Sequence, residues 1–244
     1  NLNSKGIKTI NLKKKNISYL KKILFLRSYL KNFKINILHA HLPHMEIISY
    51  LTLLLYFKKI KFFITKHVDN DFFGGSVKKN KSIFSDLVTF IIFLKADKII
   101  AISKAVKKYF QKNYFYNFSN KIKVIYYGID KNYFKLCSNS SLKIEIKNGN
   151  ELVYCFIGRL VKQKQVELII KSFYYFKTNL TKMRVKLVIV GNGPEKVKLK
   201  NIVKKLKFNK DIKFFNHINA ISEVFKKIDV FCMNTKFEGL GLVM

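Results

Sequence analysis

"CFIGRLVKQKQVELIIKSF", residues 155–173, changes its period half-way along. Its opening is a continuous apolar run, the pattern of a strand buried on both faces of a parallel sheet. Its second half sets Val166, Ile169, Ile170 and Phe173 at the i, i+3, i+4 spacing of an amphipathic helix. Between the two lie Gly158 and Arg159 at the strand tip and Lys164 at the helix start. Such a turn is either an ordinary strand-to-helix connection with two solvated charges or a socket for a phosphate. The second option has a physical basis, because a helix N-terminus and nearby cations together stabilise an anion.

Outward from this unit, short apolar runs alternate with helical patterns along the whole chain. Strands are expected at 7–12, 35–40, 61–67, 97–103, 121–129, 151–158, 185–191, 211–217 and 229–234. Strand–helix alternation with continuously apolar strands predicts parallel sheets covered on both faces. The polar, Gly/Asn/Ser-rich segment "CSNSSLKIEIKNGN" divides the pattern in two. It predicts an N-terminal Rossmann-like domain over 1–140, a linker at 141–150 and a C-terminal Rossmann-like domain over 151–244. In such sheets ligands bind beyond the carboxyl ends of the strands.

Composition narrows the function less than its charge suggests. Lys and Arg number 48 against 14 acidic residues, a formal net charge of +34. Nucleic acid, an anionic membrane face and phosphorylated substrates are the usual partners of such an excess. The lysines are spread along the chain, however, and an AT-rich coding sequence produces the same abundance of Lys, Asn, Ile, Phe and Tyr. The 13 Tyr and 23 Phe sit mostly inside apolar runs, and no nucleic-acid motif accompanies them. Cys137, Cys155 and Cys232 are far apart, which argues against a disulfide framework and fits a reducing cytoplasm. The apolar runs are too short to span a bilayer. Residues 11–33 have the make-up of a basic amphipathic helix, suited either to an anionic membrane surface or to a Rossmann helix with solvated lysines.

The strand ends hold the candidate residues. His39 and His41 share one face of a strand, and His67 ends the next one. Two such histidines could bind a metal, but no third ligand is spaced with them. "DND" at 69–71 looks like the Asp-x-Asp metal clamp of some sugar transferases, but so short a pattern arises by chance and an exposed turn is the favoured reading. Ser103 sits where a helix N-cap belongs, and Pro194 where a first helical residue belongs. Gly191 and Gly193 form a Gly-Asn-Gly turn after the strand at 185–191, and Glu238, Gly239, Leu240 and Gly241 follow the last strand.

Taken in order, "HAHLPH", "TKH", "ADKIIAIS", "VIYYGID", "IGRLVKQK", "LVIVGNGPE" and "IDVFCMNTKFEGLGLVM" resemble the retaining group 1 glycosyltransferases of GT-B architecture. The resemblance runs from about residue 35 to the last residue and is strongest in the C-terminal half. It implies two Rossmann-like domains with parallel sheets, and transfer of a sugar from a nucleotide-sugar to an acceptor hydroxyl with retention. The expected setting is lipopolysaccharide, polysaccharide or glycolipid synthesis in a bacterium, with a sugar or lipid-linked acceptor. The same resemblance assigns the donor diphosphate to Arg159 and Lys164, catalytic contacts with the sugar to His67 and Glu238, and backbone contacts to Gly239, Leu240 and Gly241. Gly158, Gly191 and Gly193 shape the cleft. No metal or other cofactor is expected, nor nucleic acid. Localisation is expected in the cytoplasm, with peripheral contact at the inner face of its membrane.

Departures from the family pattern are Tyr126-Tyr127 for the commoner Pro-Asn, Gln165 for Gly, Asn216 for Gly, and Asn234-Thr235 for Pro-Ser. The chain starts with Asn and stops inside an apolar pattern. A fragment is therefore expected, with the first strand and the second glutamate of the motif outside it, both sheets incomplete, and no activity of its own. The alternatives are a basic nucleic-acid-binding protein and an inactive remnant of a transferase.

Overall fold

Strands and helices alternate through the computed structural model, which describes residues 6–10, 17–56, 58–67, 83–113, 118, 120–128, 146, 150–180, 182–216, 218, 221–236 and 238. The chain divides into two compact units, Asn1–Tyr127 and Gly128–Met244. The expected linker lies largely outside the described residues.

The first unit runs α1 (Tyr19–Asn32), β1 (Ile37–His41), α2 (Pro43–Leu54), β2 (Lys61–Lys66), α3 (Ile83–Lys95), β3 (Lys98–Ala101), α4 (Lys104–Asn113) and β4 (Ile122–Val124). Its strands pair in parallel in the order β1-β2-β3-β4. Ala40, Ile64, Ile99 and Ile122 lie side by side in that register, and all are buried. Phe93 of α3 and Phe110 of α4 are fully buried, at 0% and 1% exposure. Among the described residues the opposite face is more open. There His39 and His41 are exposed, so coverage on both faces is not seen in this sheet. Ser103 caps α4 as expected, its Oγ accepting from Val106 N–H at 3.2 Å.

Of the strand expected over 7–12 the structure describes residues 7–10, which make no strand pairing among the described residues, and Ile7 and Ile10 are exposed. Helix α1 starts at Tyr19, with Ser18 Oγ accepting from Lys21 N–H. It buries Ile23 and Leu30 and leaves Leu20, Leu24 and Phe25 outside.

The second unit runs β5 (Leu152–Ile157), a 3₁₀ turn (Lys162–Lys164), α5 (Val166–Tyr175), β6 (Val185–Val190), α6 (Lys196–Lys205), β7 (Ile212–Phe215), α7 (Ile221–Phe225) and β8 (Val230–Phe231). The opening stretch thus folds as the strand–turn–helix its period predicts. The parallel sheet order is β7-β6-β5-β8. The chain winds outward through β6 and β7, then returns to place β8 on the other side of β5. Right-handed crossovers therefore send α5 and α6 to one face and α7 to the other. Two separate cores confirm it. Phe156, Leu187 and Ile189 pack with Ile170, Phe173, Leu199 and Val203. Val153, Cys155, Val188 and Val190 pack with Val224 on the opposite side. Burial on both faces explains the apolar runs of β5 and β6, interrupted in β6 by Lys186, which is itself buried and paired with Glu151.

Candidate functional site: the crevice between β5 and β8

The strand order of the second sheet reverses at β5, and the carboxyl ends of β5 and β8 bound the switch point where α/β sheets bind ligands. The sequence puts its candidate residues there. Gly158 and Arg159 follow β5 directly. Arg159 is exposed, and no carboxylate among the described residues pairs with it. Lys164 ends the 3₁₀ turn, and its ammonium donates to the Glu238 carboxylate from beyond β8, both being largely buried. The backbone sets this meeting. Lys236 N–H donates to Gln163 O at 3.0 Å, and Thr235 Oγ donates to the same oxygen at 3.3 Å. Gln163 and Thr235 are site-building residues that pattern reasoning missed, because a backbone acceptor leaves no mark on residue type.

Gln165 links the turn to α5 in the left-handed conformation, φ 46° and ψ 36°. That region favours glycine, which accounts for the glycine that the family pattern carries here. A glutamine there costs roughly 1–2 kcal/mol of backbone strain.

Gly191 and Gly193 act on the loop rather than on open space. A Cβ on Gly191 would lie 1.9 Å from Gly158 O, and one on Gly193 would lie 2.4 Å from Leu160 O. Two backbone bonds hold the strands' loops together at this spacing, Gly158 N–H to Val190 O at 3.0 Å and Leu160 N–H to Asn192 O at 2.9 Å. Glu195 N–H donates to Leu160 O at 3.0 Å. The Gly-Asn-Gly turn thus clamps the backbone that carries Arg159. Pro194 lies in the turn ahead of α6, not at its first position, because Glu195 caps that helix. Asn216, beyond β7, accepts from the Lys196 ammonium.

A cavity of about 500 Å³ opens beside this crevice, lined by Tyr154, Leu168, Phe173, Phe231, Cys232 and Asn234 among others. Among the described residues no charged side chain lines it. Cys155 and Cys232 are free thiols, and burial pushes Cys155 up to about 12, leaving it inert.

The first unit gathers a second polar group at the carboxyl ends of its strands. His39 Nε2 lies 2.7 Å from Thr65 Oγ, and His41 Nδ1 lies 2.9 Å from His67 Nε2. The Tyr127 hydroxyl bonds His67 Nδ1. Burial, then the neighbouring His41, His39 and Lys66, hold His67 below its ordinary value of 6.5. Burial and His41 do the same for His39. No group of three or more side chains among the described residues is placed to hold a metal ion. Beneath His67, Lys66 donates to Glu46 of α2 at 2.8 Å, with 6% and 2% of the side chains exposed. Gly239, Leu240, Gly241 and the 69–71 segment lie outside the described residues.

Comparison with known proteins follows the same division. The family description "Glycosyltransferase Family 4" matches residues 3–133, and "Glycosyl transferases group 1" matches residues 139–244. The uncharacterized glycosyltransferase MJ1069 of Methanocaldococcus jannaschii is 30% identical over 230 residues, 90% of this chain and 55% of that protein. The O-antigen biosynthesis glycosyltransferase WclY of Escherichia coli is 28% identical over 229 residues, 92% of this chain and 61% of its own. The chain therefore spans little more than half the length of these relatives. Sucrose-phosphate synthase from Thermosynechococcus elongatus superposes with a TM-score of 0.73 at 14% identity, over 96% of this chain and 59% of that one. Anabaena HepE, solved with UDP-glucose, gives a TM-score of 0.68 at 15% identity, over 87% and 56%.

Proposed function

Because the chain belongs to the group 1 glycosyltransferases and shares their GT-B fold of two parallel sheets, we propose that the β5–β8 crevice binds the diphosphate of a nucleotide-sugar donor. The observation that carries this is the meeting of Lys164 with Glu238 at the switch point of the second sheet, where Arg159 stands exposed at the tip of β5. Arg159 offers a planar fork of donors to phosphate oxygens, and Lys164 a compact charge. The Lys164 ammonium has three donors, so it can keep Glu238 while bonding a phosphate oxygen. Glu238, so held, accepts from the hydroxyls of the donor sugar. On the first unit the catalytic contribution comes from the histidine group around His67, and Gly239, Leu240 and Gly241 supply backbone donors.

In the reaction the bond between the anomeric carbon and the diphosphate oxygen breaks. An acceptor hydroxyl oxygen bonds the same carbon from the same face, and its proton leaves with the diphosphate. Retention follows from same-face attack. Negative charge grows on the diphosphate, where two fixed cations and the start of α5 stabilise it without a metal. The acceptor is a sugar or lipid-linked hydroxyl of cell-surface polysaccharide synthesis, on the cytoplasmic side.

The test is calorimetric titration with UDP and UDP-glucose, then with the guanosine and adenosine counterparts. Arg159→Ala and Lys164→Ala are each expected to weaken the bound nucleotide by roughly 10- to 100-fold, the worth of a hydrogen bond to a charged group. Affinities unchanged in both variants would remove the diphosphate from this crevice.

A lipid-linked acceptor requires the enzyme at a membrane surface. No described helix is long and apolar enough to cross one. Helix α1 exposes Leu20, Leu24 and Phe25 beside Lys21 and Lys31, a face suited to an anionic interface. The protein is expected to float with vesicles containing phosphatidylglycerol and to stay behind with neutral ones. Double substitution of Leu20 and Leu24 by Ser should abolish flotation. If that variant floats like the wild type, α1 is not the contact.

A further inference from the structure

Both ring nitrogens of His67 are already bonded within the first unit, Nε2 to His41 and Nδ1 to Tyr127. A neutral imidazole has one donor and one acceptor nitrogen, so each bond constrains the other. If the phenol donates to His67 Nδ1, then His67 carries its proton on Nε2 and donates it to His41 Nδ1. The proton of His41 must then sit on Nε2. In the opposite arrangement His41 donates to His67, His67 donates to the phenol oxygen, and the phenol hydrogen has no acceptor among the described residues. Each arrangement leaves one proton outside the group. An acidic phenol O–H is better matched to a basic imidazole nitrogen than an imidazole N–H is to a phenol oxygen, so the first arrangement holds, with one proton left over.

That one is the Nε2–H of His41. His41 is exposed, and no described residue accepts from it. From this geometry we infer that within the group His41, rather than His67, presents the free N–H donor, and that Tyr127 and His67 are positioning residues that fix its tautomer. The acceptor it suits is a hydroxyl or phosphate oxygen of a sugar substrate, so this step rests on the proposed transferase function. The relay itself does not. It depends only on Tyr127, which reaches from beyond β4 to the end of β2 although β3 lies between their strands.

The groups facing His67 are His39 and His41 of β1, Lys66 of β2 with its partner Glu46 of α2, and Tyr127. Burial, then His41, His39 and Lys66, disfavour a second proton on the ring. Partial burial pushes the Tyr127 phenol up, which keeps it a donor. Because the folded value of His67 lies below 6.5, the relay and the stability it adds are present above that pH. They are lost as pH falls through the depressed value.

Long-range ¹H–¹⁵N spectra of the histidine-labelled full chain read the tautomers directly, with assignments from His41→Gln and His67→Gln. At pH 7.5 both His41 and His67 are expected as Nε2–H tautomers. In Tyr127→Phe, which removes one oxygen, His67 should divide between tautomers and His41 should follow it. The remaining amide spectrum reports whether the fold is intact. His67 found as Nδ1–H in the unaltered chain would overturn the relay, as would tautomers indifferent to Tyr127→Phe. If the relay holds while nucleotide titration fails, the donor-site proposal falls and the relay stands. If the relay holds and His41→Gln leaves KM and kcat unchanged in a chain shown to transfer sugar, His41 is not the presenting group.

Discussion

Glu46→Ala is expected to destabilise the first unit by about 3–5 kcal/mol, the usual cost of removing one partner from a buried ion pair. Lys66 and Glu46 lie 2.8 Å apart with almost no exposure, where α2 covers the end of β2. Without its carboxylate the Lys66 ammonium would remain between the rings of Phe93 and Phe110, each 5.1 Å away. A desolvated cation–π contact is worth about 2 kcal/mol, less than the loss of the carboxylate. Replacing both partners by apolar residues of similar size, Lys66→Met with Glu46→Leu, should cost far less, because the remaining Glu46 oxygen has no hydrogen-bond partner among the described residues. Urea denaturation followed by tyrosine fluorescence would measure both. Equal midpoints for Glu46→Ala and the parent would show that the pair contributes nothing to this unit.

Gly191→Ala is the second large effect, expected at more than about 3 kcal/mol for the second unit, at the upper end of overpacking costs. The added Cβ meets a backbone oxygen, Gly158 O, at 1.9 Å, and a backbone atom cannot rotate aside. Relief requires separating loops joined by Gly158 N–H to Val190 O and Gly191 N–H to Phe215 O, both 3.0 Å. Arg159 moves with that backbone, so nucleotide binding should fall together with stability. Gly158→Ala is the internal control. Its Cβ meets only the Phe156 ring at 3.1 Å, a side chain that can give, and its cost should be small. Gly128→Ala meets nothing within 4 Å and should be neutral. If thermal midpoints do not follow that order, the clamp between the two loops is not what these glycines provide.

The second sheet was legible in the sequence because burial on both faces imposes a signal that is dense and local. Strands β5 and β6 are apolar runs but for Lys186, and α5 buries Val166, Ile169, Ile170 and Phe173, the residues its period singled out. In α1 the apolar residues Leu20 and Leu24 keep helical spacing but face outward, since spacing states which residues share a face and not what that face meets.

Sequence alone therefore determined the class of fold, the family, and the strand ends at which Arg159, Lys164, Glu238 and His67 stand. All of these follow from order and period along the chain. Tertiary structure decided what those residues touch. The return of β8 to the far side of β5 brings Glu238 to Lys164, 74 positions away, and the register of β1, β2 and β4 brings His41 and Tyr127 to His67. A hydrogen bond depends on distances of a few tenths of an ångström between atoms far apart in the chain. That information is held by packing, not by spacing.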